Sequence, residues 1–190
     1  MENNKVAVAP TNSEVRKPRV FSRPKDDIEE KTVMTKFINK TTKGGRRSRF
    51  SALVVCGDKK GRVGFGLGKS KEITVAVKKA SQAARKSMVT VLINKKGGLY
   101  HEISTKFGAT QVLLKTAPVG AGIIAGGVIR TILELAGYKD VCAKNVGRAS
   151  SPTNMATATI NGLLSQKTPR TIAGERGITT EQLFKGGFNK

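Results

Sequence analysis

The run KGGRRSRF at residues 43–50 gathers the side chains best suited to chemistry in this chain, and that chemistry is ion pairing with phosphate. Gly44 and Gly45 free the backbone to bend, while Lys43, Arg46, Arg47 and Arg49 crowd around the bend. Arginine meets a phosphate with a planar fork and lysine with a point charge, so such a loop suits a phosphate-lined groove. More cations follow at Lys59, Lys60 and Arg62, then at Lys69, Lys71, Lys78 and Lys79, and together they are expected to form one basic edge. Residues 28–92 hold 16 Lys and Arg against 4 Asp and Glu, more than a merely solvated surface requires.

Two glycine-rich runs invite a nucleotide-binding reading and fail it. In GFGLGKS, residues 64–70, a phosphate loop needs a glycine where Val63 stands, and a dinucleotide turn needs one where Lys69 stands. The alternative is a strand kept bare on one face so that another backbone, protein or RNA, approaches closely. Gly120, Gly122 and Ala125 satisfy the relaxed G-x-G-x-x-A pattern, with Asp140 twenty residues on. There the acidic residue precedes a strand instead of ending one, Pro118 interrupts the junction, and too little chain remains for a second nucleotide-binding half. Gly120 and Gly122 are retained as a glycine-rich helix start whose amides can receive an RNA phosphate.

Acid-base or nucleophilic catalysis needs paired groups, and the chain has one histidine, His101, read as structural within an alternating strand. Cys56 and Cys142 lie far apart, without C-x-x-C spacing, and read as small buried apolar residues. No cofactor, metal or small-molecule substrate is expected. Phe37, Phe50 and Phe65 read as core, which leaves backbone and shape readout of a nucleic acid rather than base stacking.

The 190 residues carry a net charge of +22 and 38% apolar residues, enough to fold a core yet strongly self-repelling without a polyanion. No run approaches the roughly 20 apolar residues that span a bilayer. The longest candidate, residues 117–129, is broken by Pro118 and four glycines. No membrane partner is expected, and the start lacks the apolar segment of a secretory signal. The expected location is cytoplasmic.

The elements that must position these residues follow from periodicity. Residues 1–27, with three prolines and mixed charge, read as a disordered or extended segment. Residues 32–40 alternate as a strand, with Met34, Lys36, Ile38 and Lys40 on a partly basic face. A polar loop at 41–48 leads to a second strand at 49–57, a turn at 58–61 and a third strand with Val63, Phe65 and Leu67 on one side. Ser70 reads as the N-cap of a helix whose face is Ile73, Val77, Ala80, Ala84 and Met88. Strands are expected at 89–94, 99–106, 111–116 and 141–146. Helices are expected from Ile123 to a stop at Gly137, and from Pro152 behind an N-cap at Ser151. The last 25 residues read as a mostly polar tail. The fold class is α+β with two small domains, at 28–91 and 92–175, followed by a tail at 176–190.

Two long stretches carry a resemblance. KGGRRSRFSALVVCGDKKGRVGFGLGKSKE and GAGIIAGGVIRTILELAGYKDVCAKNVGRASSPTNMATATINGL are similar to the two domains of the bacterial small-subunit ribosomal protein five family, in register over about residues 28–175. The resemblance implies a first domain related to double-stranded-RNA-binding domains but lacking their leading helix. It implies a second domain with a mixed sheet backed by two helices. It also implies a non-enzymatic structural part that binds small-subunit rRNA, touches small-subunit proteins four and eight, holds head to body and supports decoding accuracy. The loop matching Lys43 to Arg47 would insert near the junction of head and neck. Residues 1–27 and 177–190 match the pattern less closely. A free RNA-binding regulator and a nucleotide-dependent enzyme are the competing classes.

Overall fold

The computed structural model describes residues 28–185, so the expectation for residues 1–27 lies outside them. β1 (Glu29–Thr42) and β2 (Gly45–Gly57) form a long antiparallel hairpin, joined through a register shift near Val33. The polar segment 41–48 is therefore not a loop. Only Lys43 and Gly44 turn, and the flanking polar residues extend both strands. β3 (Arg62–Ser70) pairs with β2, and β4 (Val89–Thr90) pairs with β3, giving one antiparallel sheet ordered β1-β2-β3-β4. The strand expected at 89–94 is thus two residues long and closes the first sheet.

α1 (Ile73–Lys86) covers one face of this sheet. Its N-cap is Glu72 rather than Ser70, and its buried face is Ala76, Ala80, Ser81 and Ala84, with Ile73 left 44% exposed. The rotation follows from the glycines of β3. A Cβ on Gly64, Gly66 or Gly68 would overlap the backbone of α1 at Ala84, Ala80 and Ala76. The helix sits so close to the strand that only its small residues fit between.

The second sheet is mixed, ordered β5-β6-β8-β7. β5 (Ile103–Phe107), β6 (Thr110–Thr116) and β8 (Val141–Asn145) are antiparallel neighbours, and β7 (Ile123–Ile124) runs parallel to β8. Ile123 thus belongs to a strand, and α2 (Gly127–Ala136) begins after it. Gly137 ends α2 in the left-handed conformation the sequence indicated, at φ +98°. α3 (Pro152–Leu164) starts as expected, with Ser151 at the N-cap and Pro152 in the first turn. The polar tail also folds: α4 (Pro169–Arg176) is capped by the Thr168 side chain, and α5 (Thr180–Lys185) follows.

One hydrophobic cluster joins the two domains. Val55, Val63 and Val91 of the first pack with Ile132, Leu133, Leu135 and Tyr138 of the second, over a core completed by Val112, Leu114, Val141 and Leu163. Burial of such side chains is worth roughly 1.5–3 kcal/mol each. α2 therefore braces the face of the first sheet that α1 leaves open.

Candidate nucleic-acid interface

The β1–β2 hairpin sorts its cations by strand alternation. Lys40 lies directly across from Arg47, Ile38 across from Arg49, and Lys36 across from Ser51, which in turn faces Lys69. Lys36, Lys40, Arg47, Arg49 and Lys69 thus share the face turned away from α1. Ile38, Lys40, Thr42, Arg47, Arg49 and Lys69 line a shallow cleft of about 340 Å³ there. Among the described residues none of the five cations is paired with a carboxylate. Like charges directly opposite one another destabilise a sheet, so Lys40 and Arg47 keep a cost that a polyanion relieves. At the tip, Gly45 adopts φ +123° and the Thr42 hydroxyl donates to its carbonyl at 2.8 Å.

Arg46 is not part of that cluster. It pairs across from Thr41 and so shares the opposite face with Phe37 and Phe50. Lys36 and Lys40 join the cluster although the basic runs at 43–49 and beyond do not point to them; their signal is the alternation Met34, Lys36, Ile38, Lys40. Phe37 is not core either: it is 57% exposed, while Phe50 and Phe65 are half-buried.

The single basic edge does not form. Lys59, Lys60 and Arg62 lie at the far end of the sheet, about 40 Å from the Lys43 tip along a 13-residue strand. Lys59 pairs with Glu29. The Asp58 carboxylate accepts from the backbone N–H of Lys60 and Arg62 at 2.8 and 2.9 Å and from Arg62 Nε at 2.7 Å. Burial alone would raise the Asp58 pKa, but the Arg62 guanidinium and these amides outweigh it and hold the carboxyl below its usual range. The turn is used for domain docking, with Lys59 N–H donating to Leu135 O and Gly61 N–H to Ala136 O, both at 2.9 Å. Lys71, Lys78 and Lys79 are exposed at the start and on the outer surface of α1, on the other side of the sheet from the cleft.

The glycine runs resolve differently. Gly64, Gly66 and Gly68 receive the backbone of α1, so the close approach there is by protein. The amides of Gly120 and Gly122 are taken: both donate to Asp140 Oδ1, at 3.0 and 2.9 Å. They do not open a helix, since β7 intervenes before α2, and no free amide pair remains there for a phosphate. His101 lies outside β5; its Nδ1 is 3.0 Å from Glu102 O and its Nε2 accepts from Lys167 N–H at 3.3 Å. Both ring nitrogens thus meet backbone. Burial, reinforced by the Glu30 carboxylate, pushes the fully buried Cys56 thiol up to about 11, too high for a nucleophile at neutral pH. Cys142 is only half-buried. Among the described residues no cluster of His, Cys, Asp and Glu has the geometry to hold a metal, and no helix is long and apolar enough to cross a membrane.

Comparison with known proteins is consistent with this architecture. Residues 28–92 match the family model described as ribosomal protein S5, N-terminal domain, and residues 105–176 match that of ribosomal protein S5, C-terminal domain. The small ribosomal subunit protein uS5 of Malacoplasma penetrans is 53% identical over 83% of this chain and 67% of its own length. Those of Mycoplasmoides gallisepticum and Mycoplasma pneumoniae are 51% and 52% identical, over 85% and 87% of this chain and 71% and 75% of theirs. With both domains matched in order and these relatives more than half identical over most of the chain, the chain belongs to the ribosomal protein S5 family.

Proposed function

We propose that the chain is a structural, non-enzymatic constituent of the small ribosomal subunit that binds small-subunit rRNA through the β1–β2 hairpin. The observation that carries this reading is the convergence of Lys36, Lys40, Arg47, Arg49 and Lys69, none paired with a carboxylate among the described residues, on one face of the first sheet. Lys43 at the hairpin tip extends the same charge, and Arg46, Lys71, Lys78 and Lys79 give the opposite side a weaker one. The relatives' names supply the subunit, and with it a cytoplasmic location. In this reading residues 28–91 are the rRNA-contacting domain, related to double-stranded-RNA-binding domains, residues 92–175 brace it, and residues 176–190 are a docking tail. The long hairpin reaches toward the junction of head and body, with small-subunit proteins four and eight as neighbours. Its rigidity holds that junction and supports decoding accuracy.

The test is the salt dependence of binding. Each phosphate contact contributes roughly 0.9 to the slope of log affinity against log salt on B-form duplex. The Arg47→Ala, Arg49→Ala double variant is expected to weaken binding to a small-subunit rRNA transcript and lower that slope by about 1.8. It is also expected to leave the small-subunit peak of a lysate gradient at lower salt than the wild type. An unchanged slope overturns contact by this face.

A further inference from the structure

We propose that Phe37 is a stacking platform for an unpaired nucleobase. This rests on the hairpin being the rRNA-contacting element, and adds to its charged face a contact of a different kind. Phe37 projects from the face of β1 opposite Lys36 and Lys40, and 57% of it is open to solvent. The register sets it directly across from Phe50, with ring centroids 5.2 Å apart and planes tilted by 50°. Phe50 is anchored, packing against the buried cluster of Ala52, Val54 and Ala76 beneath α1. Phe37 therefore leans on a fixed ring and keeps the rest of its surface free.

The surroundings select the occupant. From residue 31 to residue 57 the two strands and their turn contain seven Lys and Arg and no Asp or Glu. An apolar protein side chain seated on Phe37 would have to bring its own carboxylates to this field. RNA brings negative charge and flat apolar faces in one polymer, and every base presents such a face to an aromatic ring. Paired bases keep those faces inside the stack, so the platform suits a splayed-out or terminal base. Arg46, on the same face and roughly 13 Å along the hairpin, stands where the flanking phosphates of that strand can be met. Among the described residues the other exposed phenylalanines, Phe107 at the end of β5 and Phe184 in α5, have no aromatic partner.

The chain contains no tryptophan, so Phe37→Trp places a single reporter at the platform. Titrating the full-length variant with a small-subunit rRNA transcript is expected to quench its emission and shield it from acrylamide; a fully paired RNA duplex of equal length is expected to do neither. Phe37→Leu keeps apolar bulk without the ring and is expected to weaken transcript binding about five- to a hundredfold, with the salt slope unchanged. Phe37→Tyr should bind as the wild type does. Far-ultraviolet circular dichroism checks that each variant is folded. Wild-type affinity in Phe37→Leu, or unquenched emission at saturation, overturns the proposal, as does loss of association with another ribosomal protein at unchanged rRNA affinity. Failure of the underlying reading looks different: there the wild type does not bind the transcript, or the Arg47, Arg49 double variant keeps its full salt slope.

Discussion

Asp140 delivers an anion from within the chain to the amides of Gly120 and Gly122, both held at positive φ (+89° and +72°). The pairing of β7 with β8 makes this possible, because Ile123 lies beside Val141 and so brings the preceding Gly122 next to the preceding Asp140. In sequence, the spacing of those residues fits a dinucleotide turn and only its context, with Asp140 before a strand and Pro118 at the junction, argues against one, which leaves their amides open to an outside phosphate. Only the parallel pairing, a long-range contact that periodicity does not encode, discloses that the carboxylate returns to fill the loop. A hydrogen bond to a charged group is worth about 1.5–3 kcal/mol, less where water can replace it. Asp140→Ala is accordingly expected to cost about 2 kcal/mol, and Asp140→Asn, which keeps one acceptor oxygen, about 1 kcal/mol. Urea denaturation checks both, and an Ala variant with the wild-type midpoint would show that the loop holds itself.

Among the elements, β3 and α1 constrain each other most tightly. The strand gives up side chains at Gly64, Gly66 and Gly68, and the helix answers with Ala76, Ala80 and Ala84. Gly66→Ala would drive a methyl group into Ala80 O and Ala84 N, atoms that cannot move without shifting the helix. Overpacking of this kind costs about 3 kcal/mol, or roughly 10 °C in melting temperature for a chain of this size. Gly44→Ala, with nothing within 4 Å of the new methyl group, is expected to melt within about 2 °C of the wild type. Differential scanning calorimetry separates the two, and equal melting temperatures would refute the close approach. The bare face of β3 was legible from the glycine spacing. The helix face was legible only in part: Ala80 and Ala84 lie on it as their spacing indicates and Val77 packs at its edge, but intimate contact favours the smallest residues, so Ala76 and Ser81 are buried while Ile73 is exposed. Only the distal ends of the hairpin arms, within residues 41–48, read as a loop, for a related reason. Beyond the reach of α1 their faces no longer alternate between core and solvent, and the period-2 pattern that marks a strand fades into polar residues. The tail illustrates the converse: Thr168 before Pro169 is a helix-start pair that a mostly polar composition obscured.

For the whole molecule, what matters is whether the two sheets behave as separate domains or as one body. The family's two-domain division was legible from the restart of the strand pattern after α1, but the depth of the contact between the domains was not, because it depends on which turn meets which helix end. The C-terminus of α2 meets the β2–β3 turn backbone to backbone. Leu135 O and Ala136 O accept from Lys59 and Gly61, and Gly137 lies so close that a Cβ there would overlap Lys59 O. Beneath that seam Leu133 is fully buried in the cluster shared with Val55, Val63 and Val91. Lys31 bridges the same seam through Glu134 at 3.1 Å, an exposed pair of small worth. A seam built from apolar burial and peptide hydrogen bonds couples the two units strongly, so the chain is expected to unfold in one cooperative transition. Leu133→Ala should lower the stability of both sheets together by about 3 kcal/mol. Native-state hydrogen exchange reads this directly: amides of β2 and β6 should lose protection in parallel. Faster exchange confined to β6 and β8, with β2 unchanged, would mean that the first domain stands alone and that α2 merely rests against it.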